Sequence, residues 1–480
     1  MNDADYSRGT GFNSIWHWIQ TFAGILVVSV SLVSAPTAYG LTVKEEEDLS
    51  REVLQVVFKQ YKLIDDPVIN GYVDSVGRRI VATLTDPPFV YHFYVIEEDA
   101  YNAFATPAGH IFVNSGLFAA MDSEEELAGI LAHEISHVAC RHISQKIEQA
   151  KKINIATLAG VAAGVLLGVA GGGAQAAQAL TMGSVAAGQS AALAYSREDE
   201  MQADQVGLQH LTEAGYSGEG LLTILKKIRA KQWYGTDQVP TYLMTHPGVD
   251  DRIVYLDTWL AAKGSKTKAA ASPRGDDAFD RAHIELLTRY GDERSVLLQM
   301  ENAVKQHPDD PLAHYHYGLI LARINKRQEA VEQIRIALEK RAFDPYILSD
   351  LGRIYFLEGK YNEALNLLQS AQGMIPEDPE CLFYLARTQM ELGDPQRAGS
   401  IFADLTNRYP DFQESYYFLG QSLGMQGNMV DAHYTLGLYY LKKGDGRAAR
   451  TQLERALTYA DTAEQKEKIN KLLKTIKPER

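Results

Sequence analysis

A 34-residue step runs through the second half of the chain, and it constrains the fold more than any other feature. Gly318, Gly352 and Gly420 fall on multiples of it, as do Gly359, Gly393 and Gly427, and Ala330, Ala364, Ala398 and Ala432. Pro311, Pro345 and Pro379 keep the same step. Small residues at fixed helix contacts, with proline at each boundary, describe stacked helix pairs whose apolar faces only a neighbouring pair can cover. Residues 277–480 are therefore expected to form an all-α solenoid with a concave surface. A degenerate first unit fits 277–310, with Gly291, Ala303 and Pro308 in phase. Near the end the phase slips. Gly437, Gly444, Ala449 and Ala456 repeat the internal spacing of Gly352, Gly359, Ala364 and Ala371, but start 17 residues after Gly420. One helix that closes a unit and opens the next accounts for this. It predicts an odd number of helices before a polar cap at 461–480.

The first half carries chemistry. Ser123 to His142 reads as one helix, with Leu127, Ile130, Leu131 and Val138 at helical spacing and a capping box expected between Ser123 and Glu126. On it lie His133, Glu134 and His137. Residues four apart share a helix face, so His133 and His137 can converge on one ion while Glu134 serves as the base toward a water molecule. A catalytic zinc takes three protein ligands, and a second helical stretch, SREDEMQAD at 196–204, supplies a carboxylate. Glu200 is expected as the third ligand. Asp204, four residues on, is expected to accept a hydrogen bond from a ligand histidine and set its tautomer.

Ahead of the motif, 42–84 is helical in pattern and Pro87 and Pro88 stop it. Phe89 to Ile96 reads as a strand. A strand pair follows at 102–105 and 110–113, turned by Thr106, Pro107, Ala108 and Gly109. The expectation is an α+β metalloprotease domain, mainly helical with a small sheet, over 41–261, then a linker at 262–276. The strand Asn102, Ala103, Phe104 and Ala105 is a candidate edge for pairing with an extended substrate. His110 and His142 read as ordinary polar residues.

HEISH, then SREDEMQAD, preceded by NAFATPAGHIFVNSGL, resembles the gluzincin metalloprotease class that includes the HtpX-like and CAAX prenyl proteases. The C-terminal repeats are similar to tetratricopeptide repeats. The resemblance implies that His133, His137 and Glu200 bind one Zn2+, that Glu134 is the base and that Asp204 lies behind the ligands. It implies a periplasmic enzyme acting on unfolded or misassembled outer-membrane proteins, with the repeats meeting substrates or the β-barrel assembly machinery. His246, in the loop sequence Thr245-His246-Pro247, is a candidate fourth ligand or latency switch; in the resembling class a histidine at this place enters the open metal position.

The remaining features bound these readings. An apolar run from Phe22 to Val33 with small residues at Ala38 and Gly40 predicts a cleaved signal peptide at 1–40, the alternative being an uncleaved anchor. The small-residue stretch 153–194 is expected to pack at the domain surface or touch a bilayer peripherally. A net charge of −14 argues against nucleic acid as a partner. Cys140 and Cys381 are the only cysteines and are expected to be free thiols. The competing functional reading is a repeat-based scaffold or chaperone of envelope-protein assembly with secondary proteolysis.

Overall fold

The computed structural model describes residues 41–149, 195–234, 240–263 and 276–476. The expected signal peptide, the stretch 153–194 and most of the linker lie outside these residues. Among the described residues no helix is long and apolar enough to cross a membrane.

The described residues open with α1 (Val43–Gln60), started by a capping box between Thr42 and Glu45, and α2 (Pro67–Val81), whose N-terminal amides are capped by the Asp66 carboxylate. Three strands follow, β1 (His92–Ile96), β2 (Ala103–Thr106) and β3 (His110–Asn114). β3 is central, with β1 parallel on one side and β2 antiparallel on the other. A short α3 (Ser115–Ala119) leads to α4 (Glu124–Ala139), which holds the histidine motif. Then come α5 (His142–Gln149), α6 (Arg197–Glu213), α7 (Glu219–Tyr234), α8 (Thr241–Thr245) and α9 (Val249–Lys263).

Helix α4 is buried almost throughout, which explains why its apolar residues show no single clean stripe. It packs between α6 and α7. Glycine makes the approach possible. A Cβ on Gly129 of α4 would meet the Leu221 amide nitrogen of α7 at 2.6 Å, and one on Gly207 of α6 would lie 3.3 Å from the Ala132 carbonyl. The expected capping box at Ser123 does not form: its side chain caps nothing. Glu126 instead accepts from the Asp122 amide at 2.9 Å and from Lys227 at 2.7 Å. A lysine from α7 has taken the carboxylate that the motif would have used.

The repeat half contains α10 (Asp276–Tyr290), α11 (Glu293–Gln306), α12 (Pro311–Arg323), α13 (Arg327–Lys340), α14 (Pro345–Leu357), α15 (Tyr361–Met374), α16 (Pro379–Glu391), α17 (Pro395–Arg408), α18 (Gln413–Met425), α19 (Met429–Lys442), α20 (Gly446–Tyr459) and α21 (Ala463–Leu473). The 34-residue step has a packing cause. Added Cβ atoms on Gly318, Gly352, Gly420 and Gly437 would stand 2.5–2.8 Å from Ile334, Leu368, Leu436 and Leu453 respectively. Each glycine lets the second helix of a pair press onto the first. Gly437 lies on α19, which is also the second helix for α18. One helix therefore does both jobs, and among the described residues eleven helices, α10 to α20, precede the terminal α21.

The two halves share a helix. Phe279, Ala282 and Leu286 of α10 belong to the core around α2, α4 and the sheet, whereas Ile284 and Leu287 belong to the repeat core. Beside this contact lies a buried charge cluster. Arg289 pairs with Asp66 at the start of α2 (3.3 Å), and with Glu285 and Glu380. Arg281 pairs with Asp350 at 2.5 Å.

Candidate metal centre

Two segments 63 residues apart in sequence meet because α6 lies along α4. His133, His137, Glu200 and His246 each present one donor atom, and these atoms lie within 4.8 Å of one another. All four residues are at most 2% exposed. His137 Nε2 is 3.0 Å from His133 Nε2, and His246 Nδ1 is 3.4 Å from His133 Nε2. Glu200 Oε1 is 3.0 Å from His246 Nδ1 and 3.4 Å from His137 Nε2. Ligands about 2.0–2.1 Å from a tetrahedral ion stand about 3.3–3.4 Å apart, so these spacings trace the edges of a small tetrahedron. Three imidazoles and a carboxylate are a donor set that suits a divalent transition metal.

Second contacts orient the donors. His133 Nδ1 is 2.9 Å from Asp204 Oδ1, which places a proton on Nδ1 and leaves Nε2 facing the centre. Burial and the Arg252 charge oppose protonation of His133, but its hydrogen bonds to Asp204 and Glu200 outweigh them and raise it to about 9. For Glu200, burial is overcome by the charges of His246 and Arg252, which hold it well below the usual carboxylate range. Burial, by contrast, holds His137 well below the ordinary imidazole value. Glu134 stands beside the donors with both carboxylate oxygens buried and without a hydrogen bond, and Oε1 is 3.5 Å from His246 Nε2. Burial pushes its carboxyl up, the direction that suits a group taking up a proton.

The residues singled out from sequence fall in three groups. His133, Glu134, His137, Glu200, Asp204 and His246 are brought together. The strand at Asn102, Ala103, Phe104 and Ala105 is an edge of the sheet, but it is not open: each of the four is at most 2% exposed. The expectation of an accessible substrate edge is corrected to a covered one. Cys140 sits at the end of α4, free and outside the donor cluster.

Several contributors were missed. Arg252 of α9, 1% exposed, donates to Glu200 Oε2 at 2.6 Å and to both Asp204 oxygens at 2.7 and 2.8 Å. Nothing marks it in the sequence beyond its place six residues after His246. Tyr195 stacks on His137 with ring centres 3.8 Å apart, and Tyr242 on His246 at 4.3 Å. His142, read as ordinary, is 1% exposed and bonded to His137. Its place five residues after His137, beyond one helical turn, was the only hint.

Comparison with known proteins agrees with this geometry. Residues 67–260 match the family model for peptidase family M48. Tetratricopeptide repeat models match 297–345, 322–379, 355–419 and 430–462. The chain is 28% identical over 409 residues to the β-barrel assembly-enhancing protease of Yersinia pestis, covering 84% of this chain and 82% of that protein. Against the protein of the same name from Escherichia coli (strain K12), identity is 27% over 413 residues, covering 85% and 82%. The mitochondrial metalloendopeptidase OMA1 of Schizosaccharomyces pombe is 27% identical over 189 residues, 39% of this chain and 52% of that one.

Proposed function

We propose, on the premise that this chain belongs to peptidase family M48 and is a metalloendopeptidase carrying tetratricopeptide repeats, that it is a zinc enzyme of the periplasm which cuts misassembled outer-membrane proteins and is held latent in the form described here. The tetrahedral spacing of His133, His137, Glu200 and His246, with the Glu134 carboxylate free of hydrogen bonds beside it, carries this reading.

In this proposal His133, His137 and Glu200 would hold the ion, which when bound would supply Lewis-acid polarisation of the scissile carbonyl and acidify the attacking water. Glu134 takes the proton from that water and passes it to the leaving amine. Asp204 keeps His133 in the tautomer that exposes Nε2. His246 stands among the same donors, with Nδ1 3.0 Å from Glu200 Oε1 and 3.4 Å from His133 Nε2, so an approaching substrate would have to displace it. The antiparallel bond from the Asn114 amide to the Asn102 carbonyl (3.0 Å) makes 102 and 104 the residues that bond to β3. Ala103 and Ala105 therefore turn their backbone groups away from β3, against the covering that leaves both at most 2% exposed.

The substrate class is carried over from the relatives, which are β-barrel assembly-enhancing proteases. The repeats would dock those substrates or the assembly machinery. The closed site favours a second reading, a scaffold whose repeats act in envelope-protein assembly with proteolysis secondary. One variant separates the two. Glu134→Gln should keep its zinc, measured by metal analysis, and lose cleavage of an unfolded outer-membrane protein by about 10²–10⁴-fold. If the variant still supports envelope assembly in cells as well as the unaltered protein does, the scaffold reading holds.

A further inference from the structure

His137 Nδ1 lies 2.9 Å from His142 Nδ1, and His142 Nε2 lies 3.0 Å from Gln202 Oε1. Only one proton fits between two ring nitrogens, so the direction of this chain is a chemical question with two answers. If His142 donates, His137 must carry its proton on Nε2, pointing at His133 Nε2 only 3.0 Å away. That removes the lone pair facing the donor cluster. If His137 donates, its Nε2 is free, His142 accepts on Nδ1 and keeps its own proton on Nε2, and that N–H donates to the Gln202 amide oxygen. Every group is then satisfied.

We propose that His142 and Gln202 form a relay that fixes the tautomer of His137 and makes its Nε2 the metal-facing atom. They are positioning residues and do not touch substrate. The fold builds the relay deliberately. Arg141 has φ of 56°, a left-handed conformation that turns the chain between α4 and α5 and brings His142 back beneath His137. Its guanidinium is tied to Glu46 of α1, with Nε 2.9 Å from Oε2. Gln202 reaches in from α6, two residues after Glu200, so the helix that brings the carboxylate ligand also anchors the second histidine. His133 is oriented by a carboxylate, Asp204. His137 is oriented by a neutral imidazole and amide, which keeps a fourth carboxylate out of a buried centre that already holds Glu134, Glu200 and Asp204.

This inference rests on the reading that His137 ligates a metal, and chelator-competition titration with Zn2+ alone tests the two separately. Wild-type protein that binds no zinc overturns the metal reading itself. With wild-type binding in hand, His142→Phe keeps the ring but removes the acceptor, and affinity should fall about 10- to 100-fold. His142→Asn restores an acceptor near the Nδ1 position and should stay within about threefold of wild type. Equal affinity for Phe and Asn, whether both intact or both weakened, overturns the relay. Thermal unfolding in chelator checks that each variant is folded. Should His142→Phe fail to fold, Gln202→Leu carries the test, because Gln202 is exposed. Zinc affinity should drop severalfold, and an unchanged value overturns the proposal.

Discussion

Replacing Arg252 by methionine isolates the charge that holds the donor set together. Arg252 is 1% exposed, and its guanidinium makes three bonds of 2.6–2.8 Å to Glu200 and Asp204. Methionine fills similar volume but leaves two buried carboxylates facing each other across His133. Breaking a buried pair by removing one partner costs about 3–5 kcal/mol. For a domain of this size, where about 1 kcal/mol moves the midpoint by about 2–4 °C, the metal-free protein should melt roughly 6–20 °C lower. Zinc changes the outcome in a specific way. Bound at His133, His137 and Glu200, it replaces part of the lost positive charge, so saturating zinc should recover much of the deficit. Differential scanning calorimetry with chelator and with zinc measures both numbers. A variant that melts within about 2 °C of wild type in chelator would show that the carboxylates are solvated or protonated, and the electrostatic account of the centre would be wrong.

His246→Ala should raise casein hydrolysis severalfold while zinc remains bound; unchanged proteolysis removes the latency idea. Arg289→Met deletes the cation shared by Asp66, Glu285 and Glu380. It should weaken the contact between the halves by about 3–5 kcal/mol, seen as faster amide exchange in α2 and α16; unaltered exchange in both would show that apolar packing alone holds them. Gly437→Ala forces a Cβ to 2.7 Å from the fully buried Leu453. It should cost about 1–3 kcal/mol and loosen α20 and α21 ahead of the rest of the array, whereas a single unchanged melting transition would mean that α19 does not open a new unit.

What was legible in the sequence follows the range of each interaction. The repeat array could be read almost to the helix because its contacts are local: each glycine meets a residue sixteen positions on, and the phase slip at Gly437 survived into the structure. The pair His133 and His137 was readable from one turn of helix. Glu200 and Asp204 required a second motif and ligand counting. Arg252 and Tyr242 approach from α9 and α8 through tertiary packing, and no spacing rule connects them to α4. The capping box at Ser123 failed for the same reason, since Lys227 from another helix competes for Glu126. The strand at 102–105 was placed correctly, but its covering was invisible, because periodicity reports which face is apolar and not what lies on it.

Helix α10 has a practical corollary for anyone dissecting this molecule. A catalytic fragment cut at the end of α9 would lack Phe279, Ala282 and Leu286, leaving a greasy trough beside Tyr72 and Phe118, which lie 6.3 and 6.2 Å from the Phe279 ring. A repeat fragment starting at 276 would expose the mirror image of that trough to water. A cut on either side of α10 therefore strips one core of side chains that it shares with the other, and a protease fragment that keeps its own core whole extends through Leu286.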